Sequence, residues 1–188
     1  AGIAAAAVGL QDQLPQVERR SVGLHSSQTG DTAAMRLIRG HRGSASFVAF
    51  SDGGRQLLSG GQDATLKLWN AGTGVLVRTI ELDNGPMTAL AVAGRRALTG
   101  HGEGSIALWD LDRGEKLATF RRSEASVWSL AFLGDGARFA AGGLDEAVAV
   151  WEARQNREPV FLLEGHDGPT QALAVNPQSQ YLADRKSV

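Results

Sequence analysis

The segment LLSGGQDATLKLWN, Leu57 to Asn70, has the pattern of two short strands that are joined by a turn of small residues and closed by a tryptophan. Two similar segments follow, ALTGHGEGSIALWD from Ala97 to Asp110 and FAAGGLDEAVAVWE from Phe139 to Glu152. Their closing tryptophans are spaced by 40 and 42 residues, and they are Trp69, Trp109 and Trp151. A period in this range, with a turn before each tryptophan, predicts an array of propeller blades.

Each unit also contains an apolar triplet that we assign to an inner strand. The triplets begin 42, 40 and 43 residues apart, and they are Val48-Ala49-Phe50, Leu90-Ala91-Val92, Leu130-Ala131-Phe132 and Leu173-Ala174-Val175. Turn residues follow each triplet, and an outer strand follows each tryptophan-bearing strand of the first three units. Four short strands in roughly 40 residues make one blade.

Because these elements recur in register, the segment from about Ala33 to Ala183 resembles the WD40 repeat family. Gly40-His41 matches the Gly-His of that family, Trp69-Asn70 matches its Trp-Asp, and Asp63 matches its turn aspartate. The resemblance implies an all-β fold, a WD40-type β-propeller. The propeller is incomplete, with about three full four-stranded blades plus part of a fourth.

The resemblance also implies a structural hydrogen-bond network in the first unit, formed by His41, Ser59, Asp63 and Trp69. In the family, the aspartate accepts from the histidine, the histidine ring bonds the strand hydroxyl, and the hydroxyl meets the indole N–H. The physical reason is that a tryptophan buried between blades needs a partner for its N–H group.

The second unit departs from this pattern. Asp83 stands at the histidine position and Glu103 at the aspartate position, while Thr99 and Trp109 keep the hydroxyl and the indole. His101 lies in the inner turn, where the first unit has a glycine, so we do not expect it to act as the motif histidine.

The third unit departs further. Ser123 replaces the histidine and Ala141 replaces the hydroxyl, which leaves Asp145 and Trp151. We therefore expect the full network in the first blade only, and expect the second and third blades to be held more by packing.

The sequence divides into segments of different character. We predict an apolar segment at 1–10, a linker at 11–32, WD40 repeats at 33–183 and a non-native tail at 184–188. The blade units lie at about 41–80, 81–120, 121–163 and, as a partial unit, 164–183.

Both ends of the chain are unusual. The apolar run AGIAAAAVGL is either the end of a signal peptide or membrane anchor, or an Ala-rich or helical segment. The last five residues, DRKSV, do not fit the repeat, and a common sequencing-adapter string encodes them in one frame. We therefore expect the natural gene to continue and the 188 residues to be a fragment, by resemblance of a bacterial protein.

Composition and motifs argue against several functions. A net charge of −1, from 19 basic and 20 acidic residues, gives no electrostatic signature for nucleic acid. The absence of cysteine excludes disulfides and thiol-based sites within the 188 residues, and the four histidines are too scattered for a zinc site. With no catalytic motif either, we predict a protein that is not an enzyme and has no cofactor or metal.

Binding is the remaining route to function. Trp128 stands where an inner strand begins, at the position held by Ser46, Thr88 and Gln171 in the other units. It is a candidate anchor for a protein partner, or else it fills a gap between blades.

The first functional hypothesis is a non-catalytic scaffold for protein–protein interaction. The alternative is a regulatory or partner-holding module of a larger bacterial kinase, protease or c-type cytochrome. The sequence leaves the location unknown: it is cytoplasmic, or periplasmic or membrane-attached if residues 1–10 end a signal or anchor segment. That segment is the sole membrane link expected.

Overall fold

The computed structural model of the protein describes residues 20–25, 35–154, 158–165, 167–176 and 182–186. These residues form five antiparallel sheets, with turns and one 3-10 turn at Asp52–Gly54 between the strands. In this part of the chain no helix is long and apolar enough to cross a membrane. The all-β prediction is confirmed, whereas the apolar segment 1–10 lies outside the described residues.

The first sheet has two strands, β1 (Arg20–His25) and β2 (Met35–His41). They lie within and just after the segment 11–32, for which the sequence predicts a linker. Six of those linker residues instead form β1, which pairs along β2. Within β1 the apolar residues Val22 and Leu24 are two positions apart, which is the spacing of one face of a strand. So short an alternation is too weak a signal to separate a strand from a loop.

Three complete sheets follow, and each pairs its four strands in chain order. Blade one contains β3 (Ala45–Ser51), β4 (Gln56–Gly61), β5 (Thr65–Asn70) and β6 (Leu76–Glu81). Blade two contains β7 (Met87–Ala93), β8 (Arg96–His101), β9 (Ser105–Asp110) and β10 (Glu115–Arg121). Blade three contains β11 (Val127–Leu133), β12 (Arg138–Gly143), β13 (Val148–Glu152) and β14 (Phe161–Leu163).

The last sheet again has two strands, β15 (Thr170–Val175) and β16 (Leu182–Lys186). Leu173 pairs with Asp184, just as Val48 pairs with Ser59 in blade one, so β16 corresponds to a second strand. Residues 184–186 of the suspected tail therefore continue a strand, and 187–188 lie outside the described residues. The non-native origin of 184–188 stays a prediction.

The apolar core lies between neighbouring sheets. One cluster joins blade two to blade three, with Phe120 and Val127 among its members, and a second joins blade one to blade two through Leu66 and Leu111. All three motif tryptophans are buried, with 2–4% of their surface exposed. Each blade is therefore stable mainly through the neighbours that cover its faces.

The two ends of the sheets form two faces. We call the end at which each inner strand begins the upper face, and the opposite end the lower face. The upper face contains the loops that lead into the inner strands and the turns between the second and third strands. The lower face contains the remaining turns.

One flank of blade one is uncovered. Val48 and Phe50 of β3 are 41% and 47% exposed. The neighbouring sheet has two strands within the described residues, whereas a complete blade has four, so it does not cover them. The equivalent residues of the next two blades pack against the core clusters, and they are Leu90, Val92, Leu130 and Phe132. The flank of β3 thus has the apolar character of an inter-blade contact.

We expect the 188-residue polypeptide on its own to self-associate through this flank, because exposed apolar surface favours association. Light scattering after gel filtration should show species larger than a monomer. The double variant Val48→Thr/Phe50→Thr should reduce their fraction, and Val75→Thr on the outer edge should not. A monodisperse monomer of the unaltered polypeptide would contradict this expectation.

Candidate functional site

The structure brings four predicted network residues together in blade one. His41 Nδ1 lies 3.0 Å from both carboxylate oxygens of Asp63, and His41 Nε2 lies 2.7 Å from Ser59 Oγ. Trp69 Nε1 donates to the same Ser59 Oγ at 2.7 Å. When Nδ1 donates to Asp63 and Nε2 accepts the Ser59 proton, every donor of this hydrogen-bond network has an acceptor.

Asp63 fixes the loop above this network. Burial by itself raises the pKa of Asp63, but hydrogen bonds from His41, the Arg42 backbone N–H and the Thr65 hydroxyl outweigh it and lower the pKa below 3.8. Asp63 is therefore ionised at neutral pH and acts as an acceptor that holds two segments together.

In blade two a different histidine joins the tryptophan, and this corrects the sequence-based expectation. Thr99 Oγ1 accepts from Trp109 Nε1 at 2.9 Å and lies 3.1 Å from Nε2 of His101. Asp83, at the histidine position, instead lies on the surface and forms an ion pair with Lys116. The Trp–hydroxyl–His chain therefore forms in two blades, and not in the first alone.

The reason is the two-residue period of a strand. Thr99 and His101 both belong to β8 and are separated by one residue, so their side chains lie on the same face of the sheet. Glycine occupies the position of His101 in the other two blades, where an added Cβ would come within 1.9 Å of the Ser44 carbonyl or 2.0 Å of the Ser126 carbonyl. The Thr-x-His spacing was the sequence signal for this hydrogen bond, and a comparison of equivalent positions between repeats does not reveal it.

The buried imidazole of His101 has a lowered pKa. Burial is the main cause, and the Glu103 carboxylate and the carbonyl groups of Pro86 and Gly85 oppose it. Glu103 itself accepts from Ser105 at 2.6 Å and from Asn84 at 2.9 Å. His101 is therefore neutral at pH 7, which lets Nε2 accept the threonine proton.

Blade three has neither the imidazole nor the hydroxyl. Ser123 donates to Asp145 at 2.7 Å, and the Arg122 guanidinium forms an ion pair with the same carboxylate. Trp151 stacks on Phe139 with ring centres 5.3 Å apart and an interplanar angle of 12°. Aromatic packing thus holds this tryptophan, as the sequence predicts for this blade.

The missing groups leave space in blade three. A partly open cavity of about 20 Å³ lies beside Trp151, lined by Ser123, Ala141, Gly142 and Asp145 among other residues. This volume accommodates about one water molecule.

Trp128 lies on the upper face at a β-bulge. The pairing of β11 with β12 shifts register between Val127 and Ser129, so Trp128 is the extra residue. The same shift occurs at the same place in every inner strand described, and the extra residues there are Ser46, Thr88 and Gln171. A bulge takes its residue out of the ladder and re-aims the side chain.

Trp128 is half-buried, whereas the motif tryptophans are buried. The Thr88 hydroxyl donates to the Val127 carbonyl at 2.6 Å, and the Leu173 N–H donates to the Ser129 hydroxyl at 2.7 Å. The neighbouring sheets therefore hold the backbone at Val127 and the side chain of Ser129. Among the residues described, no cluster of three or more His, Asp or Glu side chains suits a metal ion.

Comparisons with known proteins identify similar repeats. The family model described as WD domain, G-beta repeat matches residues 33–70 and 114–152. The periodic tryptophan protein 2 homolog of Dictyostelium discoideum is 32% identical over 151 residues, which are 77% of this chain and 16% of that protein. The match between the two family segments is interrupted at blade two, where Asp83 and His101 depart from the pattern.

Two solved structures share the fold. A chain in the crystal structure of the mitotic checkpoint complex matches with a TM-score of 0.75 and 22% identity, over 89% of this chain and 53% of that chain. The RRP9 WD40 repeats match with a TM-score of 0.69 and 23% identity, over 73% of this chain and 44% of that chain. The chain spans about half or less of each of these proteins. The expectation of a bacterial source is not tested by them.

We expect Ser59→Ala to destabilise blade one by about 1–3 kcal/mol, because it leaves the buried Trp69 N–H and the His41 ring without their shared partner. Ser46→Ala, which removes an exposed hydroxyl from the same blade, is the matched control and should change stability by less than about 0.5 kcal/mol. Urea denaturation followed by tryptophan fluorescence measures both. Equal effects of the two substitutions would contradict the role of Ser59.

We expect His101 to make stability depend on pH. Because its folded-state pKa lies below the ordinary 6.5, the unfolded chain takes up a proton first as the pH falls. The stabilisation is complete above pH 6.5 and is lost as the pH falls through the folded-state pKa. His101→Gln should flatten the decline in denaturation midpoint between about pH 7 and pH 5, and an unchanged slope would refute this assignment.

Proposed function

The chain belongs to the WD40 repeat family, and from this premise we propose that it is a non-catalytic scaffold that holds a protein partner at Trp128. WD40 repeats form protein-interaction scaffolds, and propellers of this family are generally not enzymes. The observation that carries the assignment of Trp128 is its place at the bulge, half-buried on the upper face.

A rigid aromatic side chain suits an anchor. Tryptophan brings a large apolar surface with few rotatable bonds, so it contributes much binding energy at a small cost in entropy. The bonds to the Val127 carbonyl and the Ser129 hydroxyl support a preformed site, because they hold both neighbours of Trp128 before a partner arrives. The other bulge residues are uncharged and polar, which suits the surroundings of such an anchor.

The structural networks serve a different purpose. His41, Ser59, Asp63 and Trp69 satisfy one another inside blade one, and Thr99, His101 and Trp109 do so in blade two. We propose that these groups support the sheets, and that the partner contacts the loops and bulges above them.

The alternative, a module of a larger kinase, protease or c-type cytochrome, has no specific observation in its favour. None of the three similar proteins described above is named as such an enzyme or cytochrome. Which partner binds, and in which compartment, is not fixed by the family.

A photo-crosslinking amino acid at position 128 tests the proposal. With p-benzoylphenylalanine in place of Trp128, we expect a protein adduct in extracts of the source organism. The same substitution at Arg113, exposed on the lower face, is the matched control and should give none. Equal adduct formation at both positions, or none at position 128, would remove the proposal.

Stability separates the anchor from a gap-filling residue. If Trp128 contacts a partner, Trp128→Ala should lower the free energy of unfolding by less than about 1 kcal/mol. A tryptophan that fills a gap between blades would cost about 3–5 kcal/mol on truncation, and urea denaturation distinguishes the two.

A further inference from the structure

The upper face is acidic although the chain as a whole is almost neutral. Its described loops and turns are 42–44, 62–64, 82–86, 102–104, 122–126, 144–147, 164–165 and 167–169. They hold two arginines, Arg42 and Arg122, against eight acids: Asp63, Asp83, Glu103, Glu124, Asp145, Glu146, Glu164 and Asp167. The whole chain carries a net charge of −1, so the acidity belongs to this face.

Four exposed acids lie in loops and turns next to β11, the strand of Trp128, or next to the strands that neighbour it. Glu124 lies in the loop that leads into β11, and Glu146 lies in the turn after β12, the strand that pairs across the Trp128 bulge. Glu164 and Asp167 lie in the loop before β15, whose Thr170 packs on Gly142 of β12. All four side chains are exposed.

Two arginines of the neighbouring loop and strand face carboxylates. Arg122 forms an ion pair with Asp145 and also donates to the Asp145 carbonyl. Arg121, at the end of β10, faces Glu103 across 3.7 Å. In the described loops and turns of this face, carboxylates therefore outnumber arginines.

Residues next to Trp128 in the sheet line the cavity of blade three, although Trp128 itself does not. Val127, which precedes it, and Gly142–Gly143, which face it across the bulge, line that cavity together with Asp145. An aromatic surface and exposed carboxylates thus lie on one part of the upper face. The face of an indole attracts cations, and carboxylates add a longer-range attraction.

We propose that the partner presents a cationic segment, rich in lysine or arginine, to the surface formed by Trp128, Glu124 and Glu146. This inference rests on the proposed function and adds the chemical class of the partner. The carboxylates attract the segment and set its orientation, and the indole stacks against an ammonium or guanidinium group.

Labelled peptides test this with the full 188-residue chain. The probes are short peptides of alternating Lys and Ala, Glu and Ala, and Ser and Ala, and fluorescence anisotropy measures their binding. We expect the Lys peptide alone to bind, with an affinity that falls as salt is added. Trp128→Ala and the double variant Glu124→Gln/Glu146→Gln should each weaken binding about fivefold or more.

The matched control is Glu115→Gln/Glu158→Gln, which removes the same charge from exposed positions on the lower face. It should leave the affinity within about twofold, because the charges it removes lie outside the site. If the Lys peptide does not bind, or if both double variants lose the same affinity for it, the proposal of a cationic partner is overturned. In that case a persistent adduct at position 128 would show that the proposed function itself still stands.

Discussion

Burial of an indole between neighbouring sheets is the constraint on which the rest of the structure depends. No sheet covers its own tryptophan, so each must lie against the next for Trp69, Trp109 and Trp151 to leave water. Burial in turn requires a partner for the indole N–H, and in blades one and two a hydroxyl on the second strand supplies it. The polar networks follow from that requirement.

The acid in the turn after the second strand is constant in these networks, while its donors change. Asp63 takes its hydrogen bonds from His41, the Arg42 backbone and Thr65. Glu103 takes them from Asn84 and Ser105, and the Asp145 carboxylate accepts from Ser123 and forms an ion pair with Arg122. A carboxylate accepts from any well-placed donor, so the turn keeps its shape with different chemistry around it.

The repeat period was enough to predict the all-β fold, because the strands of a blade are short and alternate regularly. The role of His101 was missed, because position counting assigns function by place in the repeat, whereas the side chain reaches Thr99 through the pleat of β8. The strand β1 was missed because it owes its structure to pairing with β2, a long-range interaction that composition does not reveal.

The bulged residue and the ladder residues of each inner strand are under different structural constraints. Ladder residues must suit both the sheet and its neighbours, whereas a bulged residue lies outside the register of the ladder in every inner strand described. Serine, threonine, tryptophan and glutamine all occupy that position, and the surrounding ladder is the same each time. A substitution at this position can therefore change the upper face at one place per repeat without remodelling the sheets.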